Sequence, residues 1–223
     1  MRTSISVQDK ITSRLSQLLP GSILFVQDFA SEGSDVAVRQ ALTRLVQQGL
    51  LRRLAQGIYT IPKKLGNHGF ILPNPDEIAA AVAKRDKIRI IPTGEMSLYR
   101  FGLSEQVPLK YVYLTDGPSR EIKIEEREGE TSYTITFKRA APKNFSMRGR
   151  ISSQVIQAMK ALGEKNITDA IMDKIESFIM RENLDDLEHD LQQAPAWIAR
   201  RIRNSFNVYK NEKLDKKTRS RKT

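Results

Sequence analysis

The chain has 223 residues, 39% of them apolar, which is enough for packed cores in one large domain or two small ones and excludes a disordered protein. Thirty-seven Lys and Arg face twenty-six Asp and Glu, a net charge of +11 that points towards a polyanion such as nucleic acid. The absence of Cys excludes disulfide frameworks, thiolate zinc sites and thiol catalysis.

Apolar residues at Val7, Ile11, Leu15 and Leu18 recur at helical spacing, and Pro20-Gly21 stops that first helix. Ser22 to Phe25 reads as a small strand, and Val26 to Ala30 is long enough for about a turn and a half of helix. Ser31-Glu32-Gly33 reads as a turn. Ser34 then suits the N-cap of a third helix, with Val38, Leu42 and Leu45 on one face and Gly49 at C′. Leu50 to Leu54 and Ile58 to Ile61 read as two strands joined around Ala55-Gln56-Gly57, a hairpin carrying Arg52 and Arg53. Pro62 and Lys63-Lys64 close the unit. Three helices, a short turn between the second and third, and a basic hairpin form the order of a winged helix-turn-helix over residues 1–64.

Gly66 to Pro75, with two Gly, two Pro and two Asn, reads as a linker. A small mixed α+β region follows. Its helices are expected over Asp76 to Lys84 and Gly94 to Phe101, its strands over Ile88 to Ile91 and Tyr111 to Leu114, and a hairpin over Glu121 to Ile124 and Tyr133 to Phe137. From Ile151 the chain reads as helical: Ile151 to Leu162, Ile167 to Met180 opening at Thr168 and Asp169, and Leu184 to Phe206 with Pro195 starting a new segment. The expected class is therefore α+β: a winged helix-turn-helix, a small α+β domain with C-terminal helices over 76–206, and a disordered basic tail over 207–223. There are no internal repeats.

Charge locates the candidate interface. Residues 1–64 hold nine basic and four acidic side chains (+5), 65–150 hold fourteen and eleven (+3), 151–205 hold seven and nine (−2), and 206–223 hold seven and two (+5). With Val38 at the centre of the buried face and roughly 100° per residue, the third helix turns Gln40, Thr43, Arg44 and Gln47 outward, with Arg39 on the flank. Arg pairs bidentately with guanine O6 and N7, and Gln with adenine N6 and N7, so this face suits the major groove. Ser34 is placed to bind a phosphate at the helix start, while Arg52, Arg53 and Gln56 on the hairpin would reach the backbone or the minor groove. Taken alone, such a face is more often simply that of an amphipathic helix with a solvated side. The neighbouring turn, the basic hairpin and the +5 charge favour double-stranded DNA, ahead of a winged helix that docks proteins or a regulator that binds RNA through its tail.

The segments SDVAVRQALTRLVQQGLLRRLAQGIYTIPKK, PTGEMSLYRFGLSEQVPLKYVYLTDGPSREIKI and ITFKRAAPKN resemble the AbiEi-like antitoxins of type IV toxin-antitoxin systems. The likeness covers about residues 5–145 and is most specific at Gly57-Ile58-Tyr59 and from Pro92-Thr93-Gly94 through Gly102-Leu103-Ser104 to Leu114-Thr115-Asp116-Gly117. It implies a bacterial cytoplasmic antitoxin acting in phage defence. Such a protein binds inverted repeats in its own promoter as an autorepressor, possible as a homodimer on DNA, and counteracts a nucleotidyltransferase-like toxin without requiring a stable complex. Carried onto this chain, the resemblance puts the DNA role on Arg39, Gln40, Thr43, Arg44, Arg52 and Arg53, and assigns no residue to neutralisation.

Other patterns carry less. Gly21-Ser22 followed by Asp28 resembles a nucleotidyltransferase start, but the second carboxylate is missing because position 30 is Ala30, so a capping turn is expected. His68 and His189 stand without ligand partners, and Gly94-Glu95 and Asp116-Gly117 read as turns. Glu182 to Asp190, with Arg200, Arg201 and Arg203 one helix later, reads as solvated helix faces or as a charged interface. No nucleophile and base stand at a readable spacing, and the expectation is a non-enzyme with no cofactor and no metal. The N-terminus, MRTSISVQDKITSRL, lacks the apolar core of a signal peptide, and no stretch approaches the roughly twenty apolar residues needed to cross a bilayer, so a cytoplasmic protein without a membrane partner is expected.

Overall fold

The computed structural model describes residues 5–64, 70–106, 110–127 and 130–205. The chain is α+β and divides into two compact units, Met1–Lys87 with Glu121–Ile135, and Ile88–Arg120 with Thr136–Thr223.

The first unit opens with α1 (Val7–Leu15), capped by the Ser6 hydroxyl, which accepts from the Asp9 amide at 3.1 Å. Ile11 and Leu15 are its buried stripe, and the helix stops a turn short of Leu18 because Leu18 and Leu19 have no core to enter and are exposed. β1 (Ile23–Phe25) leads into a 3-10 turn over Val26–Phe29, and then α2 (Asp35–Gln47) follows, its Ser34 cap accepting from the Ala37 amide at 3.3 Å. β2 (Arg52–Ala55) and β3 (Ile58–Thr60) form the hairpin, turned at Gly57, whose φ of +73° is costly for any residue with a Cβ. The sheet order is β1-β3-β2, antiparallel throughout, with Leu24 opposite Tyr59 and Arg53 opposite Tyr59 on the other side. A bulge between Arg53 and Ala55 breaks the two-residue alternation, so that Leu54 and Ala55 are both buried while Arg53 stays outside. Phe29, Val38, Leu42 and Leu45 close the core beneath α1 and the sheet. Helix, strand, 3-10 turn, helix and hairpin give the winged helix-turn-helix order, with the expected third helix realised as α2.

Lys63-Lys64 do not merely end the unit. They form β4 (Lys63–Lys64), paired antiparallel with β5 (Phe70–Ile71). α3 (Pro75–Asp86) begins with proline at N1 behind an Asn74 and Glu77 capping box. The domain boundary expected between Lys64 and Asp76 differs from that of the compact unit, which runs on to Lys87 and takes in 121–135. Two contacts account for this: the Arg85 guanidinium lies 4.5 Å from the Phe25 ring centre, and the Tyr133 hydroxyl donates to the Pro73 carbonyl at 3.1 Å.

The second unit contains β6 (Ile90–Pro92), α4 (Gly94–Arg100) and β7 (Tyr111–Thr115). β8 (Arg120–Arg127) and β9 (Glu130–Arg139) complete a four-stranded sheet of order β6-β7-β9-β8; β8 beyond Arg120, and β9 as far as Ile135, belong to the first unit. Pro92 is tolerated because β6 is an edge strand. α5 (Arg150–Leu162), α6 (Asp169–Ile179), α7 (Leu184–Gln193) and a final helix α8 (196–205) pack around Ile156, Met159, Ile175, Leu191 and Ile198. Gly94 is required where α4 meets α5, since a Cβ there would fall 2.5 Å from the Ala161 Cβ and 2.6 Å from the Gln157 carbonyl oxygen.

The N-terminus of α5 is closed by carboxylates from far along the chain. Glu182 accepts from the Ile151 and Ser152 amides at 2.6 and 2.9 Å, and the fully buried Asp190 accepts from the Arg148 and Gly149 amides at 2.7 and 2.9 Å and from the Ser152 hydroxyl. These contacts satisfy the donors that a helix start leaves open. The acidic run is thus folded inward at both ends, and between them Glu188 pairs with Arg203, while Arg200 pairs with Glu164, outside the run, at 3.3 Å.

Candidate nucleic-acid interface

α2 presents its outer face as the periodicity requires. Val38, Ala41, Leu42 and Leu45 are buried, while Ser34, Arg39, Gln40, Thr43, Arg44 and Gln47 are all exposed. The exposed residues are not equally available. Ser34's oxygen caps its own helix, and its hydrogen remains to donate outward. Arg39 is engaged: its Nε donates to Asp35 Oδ2 at 2.7 Å, one helical turn back, and this hydrogen bond, together with the Asp35 charge, holds the guanidinium pKa above its already high value. Thr43's hydroxyl donates to the Arg39 carbonyl at 2.9 Å, a common threonine rotamer in helices, so its methyl is what it offers to the surroundings.

Gln40, Arg44 and Gln47 make no side-chain hydrogen bond or ion pair among the described residues and are free to reach a ligand. On the hairpin, Arg53 and Gln56 are exposed and also without such partners among the described residues. Arg52 is half-buried, with its guanidinium 5.8 Å from the Phe70 ring centre, which ties the wing to β5. Fewer cations are therefore unengaged than the nine in residues 1–64, since Arg14 is also held, 3.5 Å from Glu32 and over the Phe29 ring. Arg44, Arg53, Lys63 and Lys64 are, like Lys10 on α1, exposed cations that no described carboxylate pairs.

Reasoning from polar residues alone misses Val36, which is 65% exposed in the first turn of α2. The signal was present in the spacing: position 36 lies on the same outward ridge as 40, 43 and 47. Lys63 and Lys64 were read as mere closing residues because a two-residue strand has no period to detect.

The other sequence candidates resolve into structural roles. Asp28 Oδ2 accepts from the Phe25 amide at 2.8 Å and caps the 3-10 turn. His189 Nδ1 lies 3.1 Å from Asp190 Oδ1, beside the α5 cap. His68 and the tail over 207–223 lie outside the described residues. Among the described residues no group of three or more His, Cys, Asp or Glu is gathered as metal ligands, and no helix is long and apolar enough to cross a membrane. A family model described as a family of unknown function, DUF6088, matches residues 10–187. No curated protein matches the chain.

Proposed function

The chain belongs to the family of unknown function DUF6088, and for this member of it we propose that the N-terminal unit binds double-stranded DNA and makes the protein a transcriptional regulator. One observation carries the reading. A thirteen-residue helix in winged helix-turn-helix order turns an exposed row of hydrogen-bonding side chains away from its core, and the hairpin beside it bears the unpaired Arg53. In this reading α2 enters the major groove, and Arg44, Arg53, Lys63 and Lys64 meet phosphates. Ser34, Arg39, Arg52 and Gln56 stand at its margins, where backbone contacts set register and carry no base identity.

The test is a gel-shift titration of the full chain against the DNA upstream of its own reading frame, repeated between about 50 and 200 mM salt. Each phosphate neutralised releases condensed counterion, so log affinity should fall with log salt at roughly −0.9 per contact. Binding indifferent to salt, or no binding, overturns the reading.

The more particular role, an antitoxin that represses its own promoter and counteracts a nucleotidyltransferase-like toxin, is proposed on the resemblance of residues 5–145 alone. It is tested by expressing the chain from a foreign promoter together with an adjacent reading frame of nucleotidyltransferase type. Restored growth is expected, and unrelieved toxicity with the antitoxin candidate folded and abundant overturns it.

A further inference from the structure

Along the outward ridge of α2, methyl groups alternate with carboxamides: Val36, Gln40, Thr43, Gln47. From this we infer that α2 reads A·T base pairs, with Val36 and Thr43 set against thymine methyls and Gln40 and Gln47 against adenine edges. The inference rests on the DNA-binding reading above and specifies what that site recognises.

Four features support it. Val36 is 65% exposed, although a β-branched apolar side chain on the open face of a helix serves neither packing nor helix propensity. Thr43 turns its hydroxyl back to the Arg39 carbonyl, which converts a nominally polar position into an apolar one facing outward. Gln40 and Gln47 keep both donor and acceptor unengaged among the described residues. The two groups that would read a G·C pair neutralise each other, since Arg39, suited to guanine O6 and N7, is held by Asp35, suited to cytosine N4.

In the major groove adenine presents N7 and N6 to a carboxamide, and thymine alone presents a methyl. The ridge from position 36 to position 47 runs about 16 Å along the helix axis. Residues at the N-terminal end of a recognition helix lie nearest the base edges, so Val36 and Gln40 contribute most. Arg44 lies off this ridge, rotated towards one flank by roughly 60°, where a phosphate is the nearer partner.

Selection from a random-sequence duplex library with the full chain identifies the preferred site, and fluorescence anisotropy then compares the winning duplex with one in which deoxyuridine replaces thymine. That exchange removes the methyl and leaves pairing and every other groove group unchanged. The expected site has A·T pairs at its core, and the thymine duplex binds roughly fourfold more tightly per buried methyl. Val36→Ala, at an exposed position where circular dichroism should be unaltered, weakens the thymine duplex by a similar factor. It has no further effect once the thymine opposite residue 36 is deoxyuridine. A selected core of G·C pairs overturns the inference while leaving DNA binding intact, and so does salt-dependent binding equal for thymine and deoxyuridine. Failure to enrich or retain any duplex overturns the inference together with the reading on which it rests.

Discussion

Asp35 occupies the first turn of α2, where the helix dipole favours a negative charge, yet a carboxylate there also repels any phosphate approaching the same helix end. Its hold on Arg39 removes a cation from the surface at the same time. Asp35→Asn should therefore tighten DNA binding twice over, by removing the repulsion and by releasing Arg39. The plot of log affinity against log salt should steepen by about 0.9 for the one added phosphate contact. Unchanged or weaker binding would show that Arg39 acts through the pair and not as a free cation. In the second unit, Asp116 is held below the ordinary carboxylate range, first by the Arg89 guanidinium, which donates to it at 2.8 Å, and then by the Arg89 amide at 2.7 Å. A carboxyl lowered on folding stabilises the fold above its unfolded pKa, and that contribution is lost as pH falls through the folded value. Arg89→Ala should move the Asp116 titration, followed by carboxyl NMR, upward towards about 3.9. It should stop short of that value, because the residue 89 amide still donates. No movement would mean that the guanidinium does not set this pKa.

Helix α5 depends on two side chains that lie beyond α6. Asp190 has no exposure and accepts from two amides and the Ser152 hydroxyl, with His189 alongside, so truncating it strands several donors in a dry site. Hydrogen bonds to a buried charge are worth about 1.5–3 kcal/mol each, and Asp190→Ala should cost at least about 3 kcal/mol in urea unfolding, with an unchanged dependence on denaturant. A loss under about 1 kcal/mol would mean that water replaces the carboxylate at no cost. The contrast between α5 and α2 marks how much was legible in the sequence. The stripe, cap and stop of α2 are local: Ser34 three residues before Ala37, four buried positions at helical spacing, Gly49 just past the end. All of these were readable, as was the outward face of the candidate site. The α5 cap was not, because Arg148 and Asp190 are 42 residues apart and no periodicity connects them. For the same reason the acidic run at 182–190 read as a surface when its two ends point inward. Within the site, the Arg39 and Asp35 spacing of four was visible, but only the structure shows that the pair forms and that Thr43 turns its hydroxyl to the backbone.

Across the whole chain, the backbone passes between the two units three times, at Lys87, at Arg120 and at Ile135; β9 runs through the last of these passages, and β8, but for Arg120, lies in the first unit. Neither unit is a continuous stretch of chain that could be detached from the other, so unfolding should be one event. Trp197, the single tryptophan, is packed against the helical core of the second unit and reports on that unit alone, whereas far-UV circular dichroism reports on both. Urea transitions followed by the two signals should superimpose. A Trp197 transition clearly displaced from that of the dichroism would establish independent folding and overturn this expectation. The same threading governs how such proteins can exchange parts. Recombination that swaps the N-terminal unit between relatives by a single crossover near Pro75 would bring in a new α2 and wing but leave behind α3 and the 121–135 segment of the same unit. A change of sequence preference by cassette exchange therefore needs three breakpoints, and point substitution along α2 is the easier route by which members of this family can diverge.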